Sequence, residues 1–169
     1  MDDAVIRSML KWPDIPATYG WLALDRRGDW RIRTAPDRFE TIANPSMREF
    51  IGRNYLADER GRWYFQNGPQ RVFVSLRYAP LVFRLEGGGL VDHCGRATHE
   101  IKSAWLDEEG SLVLQATGAA GVLDDRDLGF FADRLEDGFF VLDRVVLPVG
   151  NVASSDLEAR FGFVRDPRA

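Results

Sequence analysis

Cysteine is nearly missing from this sequence: Cys94 is the only one among 169 residues. A lone thiol excludes an intrachain disulfide framework, a dithiol redox pair and a thiolate metal cluster, and it fits a reducing compartment. Lysine is almost as scarce, with Lys11 and Lys102 alone, so positive charge resides in arginine. The formal net charge is −4, and an acidic total argues against a nucleic-acid groove, which needs clustered basic surface. No apolar run approaches the roughly 18 residues of a spanning helix. The opening Met1-Asp2-Asp3-Ala4-Val5 lacks the basic region and apolar stretch of a secretion signal. The expectation is a cytoplasmic protein that engages neither nucleic acid nor membrane.

What is present suits one core. With 45% hydrophobic and 28% charged residues, the chain is expected to form a single domain over 1–169. Val5, Met9 and Leu10 at helical spacing before Trp12-Pro13 predict an N-terminal helix over 2–11. Trp21 to Leu24 and Trp30 to Arg33 flank Asp25-Arg26-Arg27-Gly28, a hairpin signature in which aspartate accepts backbone N–H groups and glycine takes the left-handed conformation. The arrangement returns at Asp58-Glu59-Arg60-Gly61 and at Asp107-Glu108-Glu109-Gly110.

Ser46 with Glu49 reads as a capping box for a helix over 46–54. Asp124 and Asp127 supply an acidic start to a second helix carrying Leu128, Phe131, Ala132 and Leu135 on one face. Trp63 to Gln66, the Asn67-Gly68 turn, Arg71 to Leu76 and Leu81 to Leu85 predict a three-stranded antiparallel meander. Gly87-Gly88-Gly89 marks a hinge, and the weakly patterned tail is expected to fray at Pro167-Arg168-Ala169. The order hairpin, helix, strand occurs twice. The expected fold class is therefore α+β, antiparallel sheets with short helices in two imperfect hairpin-helix-strand repeats, with halves at about 19–86 and 97–150.

The aspartate-glycine hairpin, the short capped helix, the Asp58 to Phe65 turn and strand, and Gln70-Arg71-Val72 leading to Ala79-Pro80-Leu81 together resemble a bacterial family of uncharacterised proteins. Lys11-Trp12-Pro13 and Tyr19-Gly20-Trp21 place the resemblance on a proteobacterial branch. It implies an α+β fold with internally repeated motifs and a role proposed to be ligand sensing or signalling.

Candidate chemistry is sparse. Asp92, His93, Cys94 and His99 gather donors for a metal or a nucleophile and base, yet recognised zinc spacings are missing and an idle thiol is the simpler explanation. Asp124, Asp125 and Asp127 could hold a hard cation or act as acid and base, with helix capping the plainer reading. Gly118 and Gly121 lack the lysine and hydroxyl residue of a phosphate loop. Of Trp12, Trp21, Trp30, Trp63 and Trp105, at least three are expected in the core.

The best polar and aromatic cluster is Arg53, Asn54 and Tyr55 with Tyr64, Gln66, Gln70 and Arg71. Alternation places Tyr64 and Gln66 on the face opposite Trp63 and Phe65, where arginines and amides could grip an anionic or amide-bearing group in a pocket between the halves. Turn and cross-strand chemistry is the competing explanation. The functional expectation is a non-enzymatic small-ligand-binding or regulatory module with no cofactor, whose partner is a small molecule or a protein. The alternatives are a metal-dependent or hydrolytic enzyme and a homo-oligomeric scaffold, a homodimer in its simplest form.

Overall fold

Residues 1–98 and 100–169 are described by the computed structural model. The chain gathers into two compact units, the first made of Met1–Asp25, Asp29–Arg77 and Phe163–Ala169, the second of Arg26–Gly28 and Tyr78–Gly162.

In the first unit, helix α1 (Asp3–Lys11) precedes a meander of β1 (Thr18–Leu24), β2 (Trp30–Ala35) and β3 (Arg38–Thr41). Helix α2 (Pro45–Arg53) follows, then β4 (Tyr55–Ala57), β5 (Trp63–Asn67) and β6 (Gln70–Leu76). The sheet runs β3-β2-β1-β6-β5-β4. Its β1 and β6 are parallel, while the remaining neighbours are antiparallel.

In the second unit, β7 (Leu81–Glu86), β8 (Gly89–Asp92) and β9 (Ala97–Thr98) precede β10 (Ile101–Leu106), β11 (Leu112–Ala116) and β12 (Ala119–Leu123). Helix α3 (Leu128–Glu136), β13 (Phe139–Leu142), β14 (Val145–Asn151), a 3-10 turn at Ser154–Asp156 and α4 (Leu157–Phe161) complete it. The order is β13-β14-β10-β11-β12-β7-β8-β9, with β10 parallel to β14 and β12 parallel to β7.

The α+β class holds in its loose sense, since sheet dominates and the helices are short. The expectation of antiparallel sheets does not hold: both sheets are mixed. Hairpin signals report only strands that are neighbours in sequence, whereas a parallel pair needs a long crossover and leaves no local turn signature. The expected meander is likewise corrected. β5 and β6 pair, but Leu81–Glu86 joins β8 and β12 in the other sheet. Gly87 and Gly88 are no hinge either, because Glu86 pairs with Gly89 and the two glycines form the tight turn between them at φ 59 and 83.

Four hairpin turns share one device. In Asp58-Glu59-Arg60-Gly61-Arg62, the Asp58 Oδ1 accepts the N–H groups of Arg60 at 3.0 Å and Arg62 at 2.9 Å, while Gly61 N–H donates to the Asp58 carbonyl. Asp107 does the same for Glu109 and Ser111, and Asp25 accepts from Asp29. Asp92 accepts from Cys94 and Arg96, which makes Asp92-His93-Cys94-Gly95-Arg96 the fourth member. A carboxylate that satisfies two turn N–H groups and leaves its second oxygen for a side chain explains the residue at Asp58, Asp92 and Asp107, and Asp25 uses the same oxygen for the Asp29 N–H.

Helix starts are set differently from the sequence expectation. The α2 N-cap is Asn44, whose side chain accepts from Met47 N–H at 3.2 Å, with Pro45 in the first turn, a position suited to proline because its missing N–H is not needed there. Ser46 and Glu49 form no capping box. Asp127 occupies the N-cap of α3 without a side-chain cap bond. Its carboxylate accepts the Leu85 N–H at 2.8 Å instead. The tail does not fray as a whole: Phe163 and Pro167 are buried, Val164 bridges Arg62, and the Leu76 N–H donates to the Arg165 carbonyl at 2.7 Å.

The core of the first unit is aromatic. Tyr55 lies edge-on to Trp30 and tilted on Trp63, and Phe50 of α2 meets Phe65 edge-on. Only Trp30 and Trp63 of the five tryptophans are buried; Trp105 is half-buried, and Trp12 and Trp21 are exposed. In the second unit Gly121 is required by contact rather than by phosphate binding. A Cβ there would lie 2.8 Å from the Leu81 carbonyl oxygen and 2.6 Å from the Phe83 ring.

Candidate functional site

All seven residues singled out from sequence belong to the first unit. Their side chains divide into anchors and cavity wall. Arg53 pairs with Asp2 at 3.2 Å, and Asn54 accepts the Asp2 N–H at 2.8 Å while donating to the Phe50 carbonyl. Together they hold the start of α1. Tyr55 is fully buried between Trp30 and Trp63. Gln70 donates to the Pro16 carbonyl at 3.0 Å and so ties the segment before β1 to β6.

Tyr64, Gln66 and Arg71 do share a face of the β5–β6 pair, Gln66 directly opposite Arg71 in register. That face is covered rather than open: Trp63 to Gln66 are all buried, so period-two alternation separated two buried faces and not core from solvent. Gln66 donates to the Gly68 carbonyl at 3.0 Å, and its Oε1 has no partner. Tyr64 and Arg71 alone of the seven line a cavity of about 560 Å³, with Ala57, Asp58, Glu59, Arg60 and Arg62.

The electrostatics of this cavity are uneven. Asp58 is bound twice by Arg62, whose Nε donates to Oδ2 at 2.8 Å. Burial alone would raise the Asp58 carboxyl, but the backbone N–H groups of Arg62 and Arg60 and the Arg62 guanidinium hold it below the usual carboxylate range. Arg62 is thereby neutralised, and it also lies over Phe73 at 4.6 Å. Arg71 stacks on the Tyr64 ring at 4.7 Å and has no carboxylate partner among the described residues. The wall holds Arg60, Arg62 and Arg71 against Asp58 and Glu59, an excess of one positive charge. Stacking engages the guanidinium face and leaves its planar N–H edge to meet an oxyanion.

Asp58, Arg60 and Arg62 were not among the sequence candidates. Their signal was the arginine following the turn glycine: Asp58-x-x-Gly61-Arg62 recurs as Asp92-x-x-Gly95-Arg96, where Arg96 also pairs with its aspartate, at 2.7 Å.

The other chemical candidates resolve as structure. In the second unit, Val82 N–H donates to His93 Nδ1 at 3.3 Å, which places the ring proton on Nε2, 3.5 Å from the Cys94 Sγ. His93 and Cys94 therefore meet within the Asp92 turn. Burial, with the Asp92 charge second, pushes the Cys94 thiol up to about 12, which favours the protonated thiol at neutral pH. His99 lies outside the described residues. Asp124 binds Arg84 and Arg126, Asp125 binds Arg27, and Asp127 binds a backbone N–H, so the three carboxylates serve separate partners. Among the described residues no three His, Cys, Asp or Glu side chains are grouped to hold a metal ion. No described helix is long and apolar enough to cross a membrane.

The family model DUF2944, described as "Protein of unknown function (DUF2946)", matches residues 1–168. The chain belongs to this family. Membership agrees with the resemblance to an uncharacterised family and carries no activity with it. Among solved structures the chain is similar to a DUF1285 family protein from Silicibacter pomeroyi DSS-3, at 17% identity over 80% of this chain and 79% of that one, with a TM-score of 0.52. A second DUF1285 family protein, from Shewanella baltica OS155, matches at 14% identity over 67% of this chain and 91% of that one, with a TM-score of 0.49. The first likeness speaks to the fold alone. No curated protein matches the chain.

Proposed function

We propose that this family member is a non-enzymatic module that binds a small anionic molecule in its first unit, at Arg71 and Tyr64. The observation that carries the reading is a guanidinium stacked on a buried ring, beside a cavity of about 560 Å³, with no carboxylate paired to it among the described residues. Arg60 supplies a second cation to the same wall. Glu59 at the same wall favours a ligand of low net charge, a carboxylate or a phosphate monoester, over a polyanion. A sensing or signalling role, as proposed for the resembling family, would use such a site without chemistry.

A comparison of the units supports this reading. Each has a three-stranded meander, a helix, and a final hairpin whose last strand lies parallel to the meander's first. We read them as two copies of one motif. Matching the hairpin β5–β6 to β13–β14 through the pairs Asn67 with Gln70 and Leu142 with Val145 sets Tyr64, Gln66 and Arg71 against Phe139, Val141 and Val146. Only the first copy keeps the charge and the hydroxyl, so the binding role would reside there.

The test is native mass spectrometry of protein purified without added ligand, with thermal unfolding in inorganic phosphate and in succinate. A retained small anion, or an unfolding temperature that rises with either anion, is expected for the wild type, and Arg71→Ala should weaken the effect at least tenfold. A bare mass together with no anion-dependent shift would remove the proposal.

A further inference from the structure

The opposite face of the first unit's sheet carries a second concavity, of about 290 Å³, between α2 and the strands. It is lined by Leu22, Phe65 and Val72 of the strands and Ile51 of α2, with Ile32 and Met47 at its rim. None of its lining residues is ionisable, in a chain where charged residues make up 28%. Its polar groups sit at one end: Asn67 pairs with Gln70 across the β5–β6 turn, and Thr18 pairs with Val72 beside them. Gln70 Nε2 is already donating to the Pro16 carbonyl, so Oε1 is the atom left to accept a hydrogen bond.

The backbone next to this groove is irregular. Thr18 and Leu22 are four residues apart while their partners Val72 and Val74 are two apart, and Gly20 sits in the left-handed region at φ 73 within that bulge. Bulges re-aim side chains next to functional sites. Here the bulge contains Trp21, which lines the groove yet is 56% exposed, with Ile32 and Met47 also exposed at its rim.

We propose that this groove binds a neutral amphipathic small molecule: a ring or branched aliphatic body against Leu22, Ile32, Met47 and Phe65, with one O–H or N–H donated to Gln70 Oε1. The volume equals about ten water molecules at roughly 30 Å³ each, which suits a body of one or two rings. An uncharged wall excludes an ionised ligand, since nothing there repays its desolvation. The site is separate from the cavity at Arg71 and stands or falls independently of it.

2-Naphthol, a two-ring fluorophore that is neutral at pH 7 and bears a single O–H, is the probe. Fluorescence titration of the full chain is expected to show saturable binding of one probe per chain. Met47→Glu and Ile32→Glu, each at an exposed rim position, should weaken it at least tenfold, and Gln70→Leu severalfold, while Arg71→Ala leaves it unchanged. Circular dichroism melts of both rim variants identify any that fails to fold, and the other then decides. Absence of saturable binding to the wild type, or equal binding by a folded rim variant, overturns the proposal. So does light scattering that shows a wild-type dimer converted to monomer by a rim variant, because a second copy would then be the occupant.

Discussion

Asp124 is 1% exposed and accepts from the side chains of Arg84 and Arg126 and from the Arg126 N–H. Burial by itself would raise its pKa, but the Arg126 side chain, the Arg126 N–H and the charges of Arg126 and Arg84 hold it far below the ordinary carboxylate range. A folded-state pKa below the unfolded value means stability that is complete above the unfolded value, about 3.9, and lost as pH falls toward the folded one. Urea unfolding of Asp124→Asn at pH 7 should show a loss of about 1.5–3 kcal/mol, the range for hydrogen bonds to a charged group. The gap between wild type and variant should shrink as pH drops from 4 toward 2. A pH-independent gap would show that the side-chain shape matters and its charge does not. The sequence placed Asp124 at a helix start for capping, and the true partners, Arg84 on β7 and Arg126 in the turn, are a strand and a loop away.

Helix α2 is the element most nearly readable from sequence, expected over 46–54 and found at Pro45–Arg53. Its start differs from the expectation because Ser46 and Glu49, three residues apart, match the capping-box spacing, whereas the observed cap Asn44 acts alone, with Met47 and no glutamate at the third helical position. Asn44→Ala should cost about 1 kcal/mol, the usual effect of losing a side-chain N-cap, whereas Ser46→Ala should be near neutral; chemical denaturation of both distinguishes the registers. Strand β5 is legible in its position and illegible in its environment. Trp63 to Gln66 alternate in direction as expected, yet both faces are buried, and nothing in a period-two pattern reports what covers the second face. For that reason Gln66 is core rather than cavity wall, while Arg53, Asn54, Tyr55 and Gln70 are anchors or core through partners far along the chain, and only Tyr64 and Arg71 of the seven line the cavity.

The chain passes between the two units four times, after Asp25, Gly28, Arg77 and Gly162. One consequence is that the first unit is completed by residues from the far end of the sequence: Phe163 is buried, Val164 bridges Arg62, and Arg165 accepts from Leu76. Deleting residues 163–169 should cost roughly 3–5 kcal/mol, the scale of emptying a buried phenylalanine site. Hydrogen exchange at the Leu76 amide should accelerate in the same variant, and unchanged protection there would show that the tail contributes nothing to the first unit.

Local sequence was enough for the turns at Asp25, Asp58, Asp107 and Asn67-Gly68, for helices α1 and α2 to within a residue and for the strands that carry an alternating apolar pattern, while α4 and the Asp92 turn went unread. Those features depend on groups within about five residues of one another: an aspartate and its turn N–H groups, a glycine at positive φ, an apolar stripe along one helix. Long-range contacts settle the parallel pairings, the transfer of Leu81–Glu86 to the second sheet, and the stacking of Arg71 on Tyr64 away from any carboxylate among the described residues. These depend on contacts between residues tens of positions apart, whose energies come from packing and charge compensation in space and leave no period or spacing in the chain.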